Sequence, residues 1–378
     1  MPPSISNEAH DELQFQVDHF ILDTIFEGDI LKASMNRYRP RPTAGHPEDS
    51  GLILLLAHGM GFHQEHWEPT VQRLFELNRA NSFGNPKILE AWSLDYPSHG
   101  EAAELNAPVL KRRSSPLTIR SYTNAFHELY ASVLLGEMKE DKQKIVLIGH
   151  SAGSVGITLL TTLFDDPGER FHKLILVEPT LWAPEVSGRM TETYRLVEQS
   201  TPLRRSKWSS KQAAHDWFRS RPPWSLWDAR VLRLYTEHGL RITSTKNEKD
   251  HKEEVILQCD PVHEAYTFTE IPTVYEVIER LGTLCGAMPV HLVFGARHDM
   301  FSREAQDSIM NSEKGRVFAS VSRIEGAGHM VVQEKPNQLA EALYQIILNT
   351  RLHMFSSIKI DVPIARTSKP FCISDFPP

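Results

Sequence analysis

The sequence predicts an α/β fold: a mostly parallel, doubly wound sheet with an N-terminal hairpin and an inserted, mostly helical subdomain. Three observations carry this reading. Six short apolar runs recur along the chain, in alternation with segments of helical period. Ahead of them, two stretches with partial alternation flank a Glu-Gly-Asp turn. Between the fourth and fifth runs lie 108 positions, 180–287, far more than one crossover helix needs.

Taken in order, residues 1–14 read as a loose polar tail. Phe15–Asp23 and Ile30–Tyr38, joined through Glu27-Gly28-Asp29, read as the hairpin, and the proline-bearing stretch 39–50 as a surface loop. The apolar runs are Leu52–Ala57, Ile88–Leu94, Lys144–Ile148, Leu174–Val177, Val290–Phe294 and Phe318–Ile324. Near-continuous runs of that length are what strands buried on both faces require, hence a parallel sheet. Thr118–Leu135 and Asn337–Thr350 carry apolar residues at three-to-four spacing and read as helices, the second following Pro336. The core is then 15–179 with 288–352. The stretch 180–287 is a mostly helical insertion, and 353–378 is an extension in which Ile358, Ile360, Val362 and Ile364 alternate as a short strand would.

Composition agrees with one split globular domain. Of 378 residues, 40% are apolar and 24% charged, enough to build a sizeable core, and this excludes a disordered chain. The net charge of −7 gives no general attraction to nucleic acid or to an anionic membrane. No run of 18 apolar residues exists, so no membrane span is expected, and the polar N-terminus does not resemble a secretory signal. Three cysteines, Cys259, Cys285 and Cys372, are too few and odd in number for a disulfide framework. A reducing, cytoplasmic setting is the expectation.

The chemistry concentrates at strand ends. Gly149-His150-Ser151-Ala152-Gly153 follows the third run and precedes a helical segment. A serine in G-x-S-x-G between strand and helix sits on a sharp, strained turn that needs tiny neighbours. The turn lifts the hydroxyl clear and sets it beside the helix amides. Ser151 is therefore the expected nucleophile. His58-Gly59-Met60-Gly61-Phe62 follows the first run, and its glycines let backbone approach a ligand. The amides of Met60 and Ala152 are the expected oxyanion donors. His58 reads mainly as a loop brace with substrate contact as the second role, and Gly59 and His150 as residues beside the substrate. His63 and His66 lack a cysteine or carboxylate at fitting spacing, so no metal site is expected.

Gly326-Ala327-Gly328-His329 leaves the last run, and His329 is the expected base. It follows both the nucleophile and either candidate acid in the chain order of a doubly wound hydrolase. Asp299, after Gly295-Ala296-Arg297-His298, is the expected orienting acid, although it lies four residues past Gly295 where three is commoner. Glu178, at the end of the Leu174–Val177 run, is its rival. Five of the seven tryptophans lie in 180–287. They read either as glue for the insertion or as the lining of an apolar pocket, with Trp182 and Trp224 the residues named for the second role.

These segments resemble the α/β-hydrolase superfamily: HGMG at 58–61, Asp95-Tyr96-Pro97-Ser98-His99-Gly100, GHSAG at 149–153 and GAGH at 326–329. The turn at 95–100 is similar to the family's D-x-P-G-H-G, with Ser98 in place of its first glycine. In overall texture the chain most resembles fungal members tied to lipid or toxin metabolism. The resemblance implies a lid at 180–287 and, with serine at the turn, disfavours epoxide hydrolase or dehalogenase chemistry. The expected function is a serine hydrolase with no cofactor, of the lipase, esterase or lactonase type, acting on an ester, lactone or thioester of a small apolar substrate. The alternatives are a cofactor-free lyase, cyclase or acyltransferase on the same fold, or a ligand receptor without turnover. Oligomeric state is not legible.

Overall fold

A computed structural model describes residues 15–41, 50–80, 87–136, 138–139, 141–247 and 250–348. The tail, most of the 39–50 loop and the extension at 353–378 lie outside the described residues.

Eleven strands occur among them. In chain order they are β1 (Phe15–Phe26), β2 (Asp29–Pro40), β3 (Gly51–Ala57), β4 (Ile88–Leu94), β5 (Gln143–His150), β6 (Phe171–Val177), β7 (Lys207–Trp208), β8 (Leu240–Asn247), β9 (Asp250–Leu257), β10 (Val290–Gly295) and β11 (Ser320–Ile324). Eight of them form one sheet in the order β1-β2-β4-β3-β5-β6-β10-β11. β1 and β2 are an antiparallel hairpin with Phe26 opposite Asp29, and β2 joins β4 antiparallel. From β4 to β11 every pairing is parallel. The hairpin closes on two residues of positive φ, Glu27 (51°) and Gly28 (83°), the turn geometry that follows the natural twist of paired strands.

The apolar runs are buried on both faces, and their period of two divides them between two cores. Leu55, Leu147, Leu176 and Leu292 face one side, where they meet Tyr122, Ile157 and Leu281. Leu54, Val146, Ile175 and Val293 face the other, where they meet Leu74, Leu339 and Leu343. The helices supplying those partners are Ile119–Ala131, Ala152–Leu160 and Ile271–Ala287 on the first face. On the second they are Glu68–Ala80 and Pro336–Leu348. The helix expected over 118–135 breaks at Ser132, which is extended (ψ 161°). Its hydroxyl bonds back to the Leu129 carbonyl and accepts from the Leu134 amide, starting a separate turn at Val133–Gly136.

The stretch 180–287 is mostly helical, as expected, but not wholly so. It carries a three-stranded antiparallel sheet in the order β7-β9-β8. Its strands are rich in β-branched residues (Ile242, Thr243, Val255, Ile256), which favour pleated backbone over helix. Trp208, Phe218, Trp224, Trp227, Tyr235 and Leu257 form a third core there, joined by Phe62 from the loop after β3. At the end of the same stretch, helix Ile271–Ala287 packs into the main core through Val277, Leu281 and Leu284.

Leu281→Ala, in a fully buried position, is expected to cost about 2–5 kcal/mol. Ile242→Ala, on the exposed side of β8, is expected to stay within about 0.5 kcal/mol of the parent. Urea denaturation of the two variants beside the parent measures both.

Candidate active site

β5 ends in Gly149-His150, and Ser151 turns the chain into helix Ala152–Leu160 with φ 54° and ψ −127°. A β-carbon disfavours that conformation, so the surrounding contacts must hold it. The Ser151 amide donates to the Val177 carbonyl at 3.0 Å. A methyl group at Gly153 would lie 2.5 Å from both the Ala57 and His58 carbonyl oxygens, so nothing larger than glycine lets the elbow pack against the end of β3.

His329 is buried on the loop after β11, with its Nε2 3.0 Å from Ser151 Oγ. Its Nδ1 lies 3.2 Å from Glu178 Oε2. Glu178 follows β6 directly, at φ 45°. Its other oxygen accepts from the Gly295 amide at 2.6 Å and from Gln306 Nε2 at 3.4 Å. The amide and amide-side-chain donors thus orient the carboxylate, leaving Oε2 toward the ring.

The expectation for Asp299 is corrected by this geometry. Its Oδ1 accepts from the backbone amides of His329 (2.8 Å) and Met300 (3.0 Å), while Oδ2 pairs with Arg297 at 3.1 Å. Arg297 also reaches Glu334, which accepts from the Gly328 amide. At four residues past Gly295, Asp299 therefore holds the backbone of His329 and not its ring. A methyl group at Gly328 would fall 1.8 Å from Asp299 Oδ2.

His58 is a brace. Both ring nitrogens are occupied: Nδ1 bonds to the Gly59 carbonyl at 2.8 Å, and Nε2 accepts from the Tyr96 amide at 3.0 Å. Burial pushes its pKa down to about 3, which keeps the ring neutral and gives it the one donor and one acceptor this pattern needs. Tyr122 Oη accepts from the His58 amide and donates to the Leu94 carbonyl, tying together the ends of β3 and β4. His150 braces the other side, with Nε2 bonded to the His329 carbonyl at 2.9 Å. Burial drives its pKa to about 3 as well, with the nearby His329 ring adding to the effect. In the turn at 95–100 the positive φ falls on Gly100 (50°) and not on Ser98. Serine is therefore tolerated where the family pattern has glycine.

Met60 and Ala152 both line the cavity in front of Ser151. Gly59 is pressed against the nucleophile, where a methyl group would be 2.9 Å from Ser151 Cβ. The two tryptophans named for the pocket do not line that cavity. Trp182 is fully buried behind Tyr194, at 4.6 Å between ring centroids, and Trp224 packs on Trp217 and Phe218 in the third core. Their bulk fills interior space, and the pocket wall falls to residues not singled out from sequence: Tyr194, Phe268, Glu270 and Val274. No local pattern marks these, because they come from separate turns and helices of the 180–287 stretch. A part-buried Arg204–Glu264 ion pair from that stretch sits against Gly61, two residues past Gly59.

The His63 and His66 rings meet edge to face with centroids 4.2 Å apart, with His63 Nδ1 bonded to Glu65 at 2.8 Å and His66 Nδ1 to Gln333 at 3.2 Å. Among the described residues no group of three or more His, Cys, Asp or Glu is placed to hold a metal ion. Nor is any helix among them long and apolar enough to cross a membrane.

A family model described as "Alpha/beta hydrolase family" matches residues 54–342. Among solved structures, the chain is similar to the peroxisomal alpha-beta-hydrolase Lpx1 of Saccharomyces cerevisiae, with a TM-score of 0.68, 17% identity and coverage of 92% of this chain and 94% of that one. It is similar also to an esterase of M. tuberculosis (TM-score 0.58, 17% identity, 88% and 92% covered). A third is the thioesterase domain of the curacin biosynthetic pathway (TM-score 0.55, 18% identity, 88% and 100% covered). At these identities the likeness is one of fold. A comparison with curated protein sequences found no match.

The buried neutral histidines set a pH dependence. His58 and His150 are held at about 3 and His291 at about 4, all by burial, against about 6.5 in an unfolded chain. Between those limits the unfolded state binds protons that the fold refuses. Their contribution is therefore intact above pH ~6.5 and is lost progressively as pH falls toward ~3. Each histidine adds a slope of up to about 1.4 kcal/mol per pH unit. Urea unfolding followed from about pH 7.5 to 5 should show stability falling, and His291→Phe should reduce the slope by about one proton.

Proposed function

The chain belongs to the alpha/beta hydrolase family, and from that premise we propose that it is a serine hydrolase of a mainly apolar ester, lactone or thioester, working through Ser151, His329 and Glu178. The observation that carries this reading is the continuous hydrogen-bonded chain from Ser151 Oγ through the His329 ring to the Glu178 carboxylate, at 3.0 and 3.2 Å.

In this reading His329 Nε2 takes the hydroxyl proton as Ser151 Oγ attacks the carbonyl carbon. Glu178 accepts the Nδ1–H bond, fixing the tautomer and stabilising the imidazolium that forms. The amides of Met60 and Ala152 receive the developing oxyanion. His329 then delivers the proton to the leaving alcohol or thiol, and an acyl-enzyme remains. Water, deprotonated by His329, attacks the acyl carbon; the acid departs and Ser151 regains its proton. Asp299 acts at one remove, as a positioning residue that holds the His329 backbone. The apolar wall of Ile119, Val155, Phe268 and Val274 supports an acyl group as the buried part of the substrate. A reducing compartment such as the cytosol suits the free thiols of Cys259 and Cys285.

Ser151→Ala is expected to lower kcat on a short p-nitrophenyl ester by about 10⁴-fold or more. A fluorophosphonate should label the parent at Ser151 and leave the variant unlabelled. A parent that is neither labelled nor active overturns the proposal.

Glu178→Gln is expected to lower kcat by about 10²–10⁴-fold, because the amide cannot stabilise the imidazolium. Asp299→Asn, which keeps an acceptor for the His329 amide, should cost no more than about tenfold. The opposite ranking in steady-state kinetics would return the acid role to Asp299.

A further inference from the structure

Among the described residues, Glu270 is the one carboxyl-bearing residue in the wall of the cavity in front of Ser151, which also holds Tyr194 and three threonines. Around Ile119, Val155, Phe268 and Val274, Glu270 places a carboxyl group on the same cavity as the nucleophile. A charged side chain facing an apolar pocket is costly unless something satisfies it. Among the described residues, what satisfies it is a single backbone donor. Both carboxylate oxygens of Glu270 converge on the Ile119 amide, at 2.9 and 3.2 Å, in the first turn of helix Ile119–Ala131. Thr118, at the cap position of that helix, makes no side-chain cap bond of its own. One amide cannot use the lone pairs of two carboxyl oxygens, which together accept about four hydrogen bonds.

We propose that the cavity takes an acyl group bearing a hydroxyl some way along its chain, and that Glu270 is the residue that selects for it. The inference rests on the serine hydrolase reading of the same site. Desolvation pushes the Glu270 carboxyl up to about 7, against the pull of the Ile119 amide and of Arg120. Near neutrality both protonation states are thus present. A hydroxyl pairs with either, donating to the carboxylate and accepting from the acid. A terminal methyl pairs with neither, and a terminal carboxylate sets a second negative charge beside the first. The order of preference follows: hydroxyacyl, then plain acyl, then half-ester of a dicarboxylic acid.

The test compares three methylumbelliferyl esters of matched length on the full chain. They are the heptanoate, its hydroxyhexanoate isostere with a terminal hydroxyl in place of the terminal methyl, and the half-ester with a terminal carboxylate. The parent should favour the hydroxyacyl ester over the heptanoate by about tenfold in kcat/KM, and disfavour the half-ester by a similar factor. Glu270→Leu should abolish the hydroxyl preference and speed the heptanoate, whereas Glu270→Gln, which keeps an acceptor, should retain much of the preference. If Glu270 serves only as a helix cap, both esters slow together while thermal stability falls, and the ratio between them stays fixed. That result overturns the inference. So does a parent that labels at Ser151 yet shows no preference for the hydroxyacyl ester or turns over none of the three. A parent that neither labels nor turns over any ester removes the hydrolase reading itself. The parent's ranking of the three esters decides the question even if the leucine variant fails to fold.

Discussion

A backbone turn that a β-carbon resists is the constraint around which this molecule is arranged. Ser151 holds φ 54° and ψ −127° between β5 and its helix, and strain of this kind costs on the order of 1–3 kcal/mol. It persists because the neighbours leave no alternative. The end of β3 packs directly on Gly153, the loop after β3 packs on the serine's own Cβ through Gly59, and the Val177 carbonyl of β6 takes the Ser151 amide. The parallel order β3-β5-β6 places those three elements side by side. The same arrangement points the hydroxyl away from the sheet and toward His329.

The two carboxylates near His329 divide the task of placing it. Glu178 is fixed by the Gly295 amide and addresses the ring; Asp299 is fixed by Arg297 and addresses the peptide. β6 and β10 are neighbours in the sheet, so the loops leaving both reach the imidazole. Glu178, which follows β6 directly, meets Nδ1, whereas Asp299, four residues past the end of β10, meets the His329 amide. The neutral, buried rings of His58 and His150 work in the same way on backbone: one holds the ends of β3 and β4 together, the other holds the His329 carbonyl.

The stretch between β6 and β10 does two kinds of work. Its final helix completes the main core through Leu281 and Leu284. Its tryptophan-rich part builds a core of its own that reaches the catalytic face through Phe62. The part-buried Arg204–Glu264 pair, set against Gly61, places charge from this stretch beside the loop that carries Met60. The wall in front of Ser151 is thus assembled from turns and helices of this stretch together with helices that flank the sheet.

Much of this was legible in the sequence because it is local. The β-rich runs become strands through their own burial pattern, and the hairpin turn is dictated by residues that sit next to one another. Gly149 through Gly153 encode the elbow within five positions. Ser151 and His329, which lie 3.0 Å apart in the structure, could be named because each is tied to a strand end by short spacing. The choice of Glu178 over Asp299 for the ring, the withdrawal of Trp182 and Trp224 into packed interior, the small sheet of β7, β8 and β9, and the place of Glu270 in the cavity wall are of another kind. They turn on where separate segments meet, 151 residues apart for His329 and Glu178 and again for Ile119 and Glu270. Side-chain reach across such gaps is set by three-dimensional packing, so only the tertiary structure decides it.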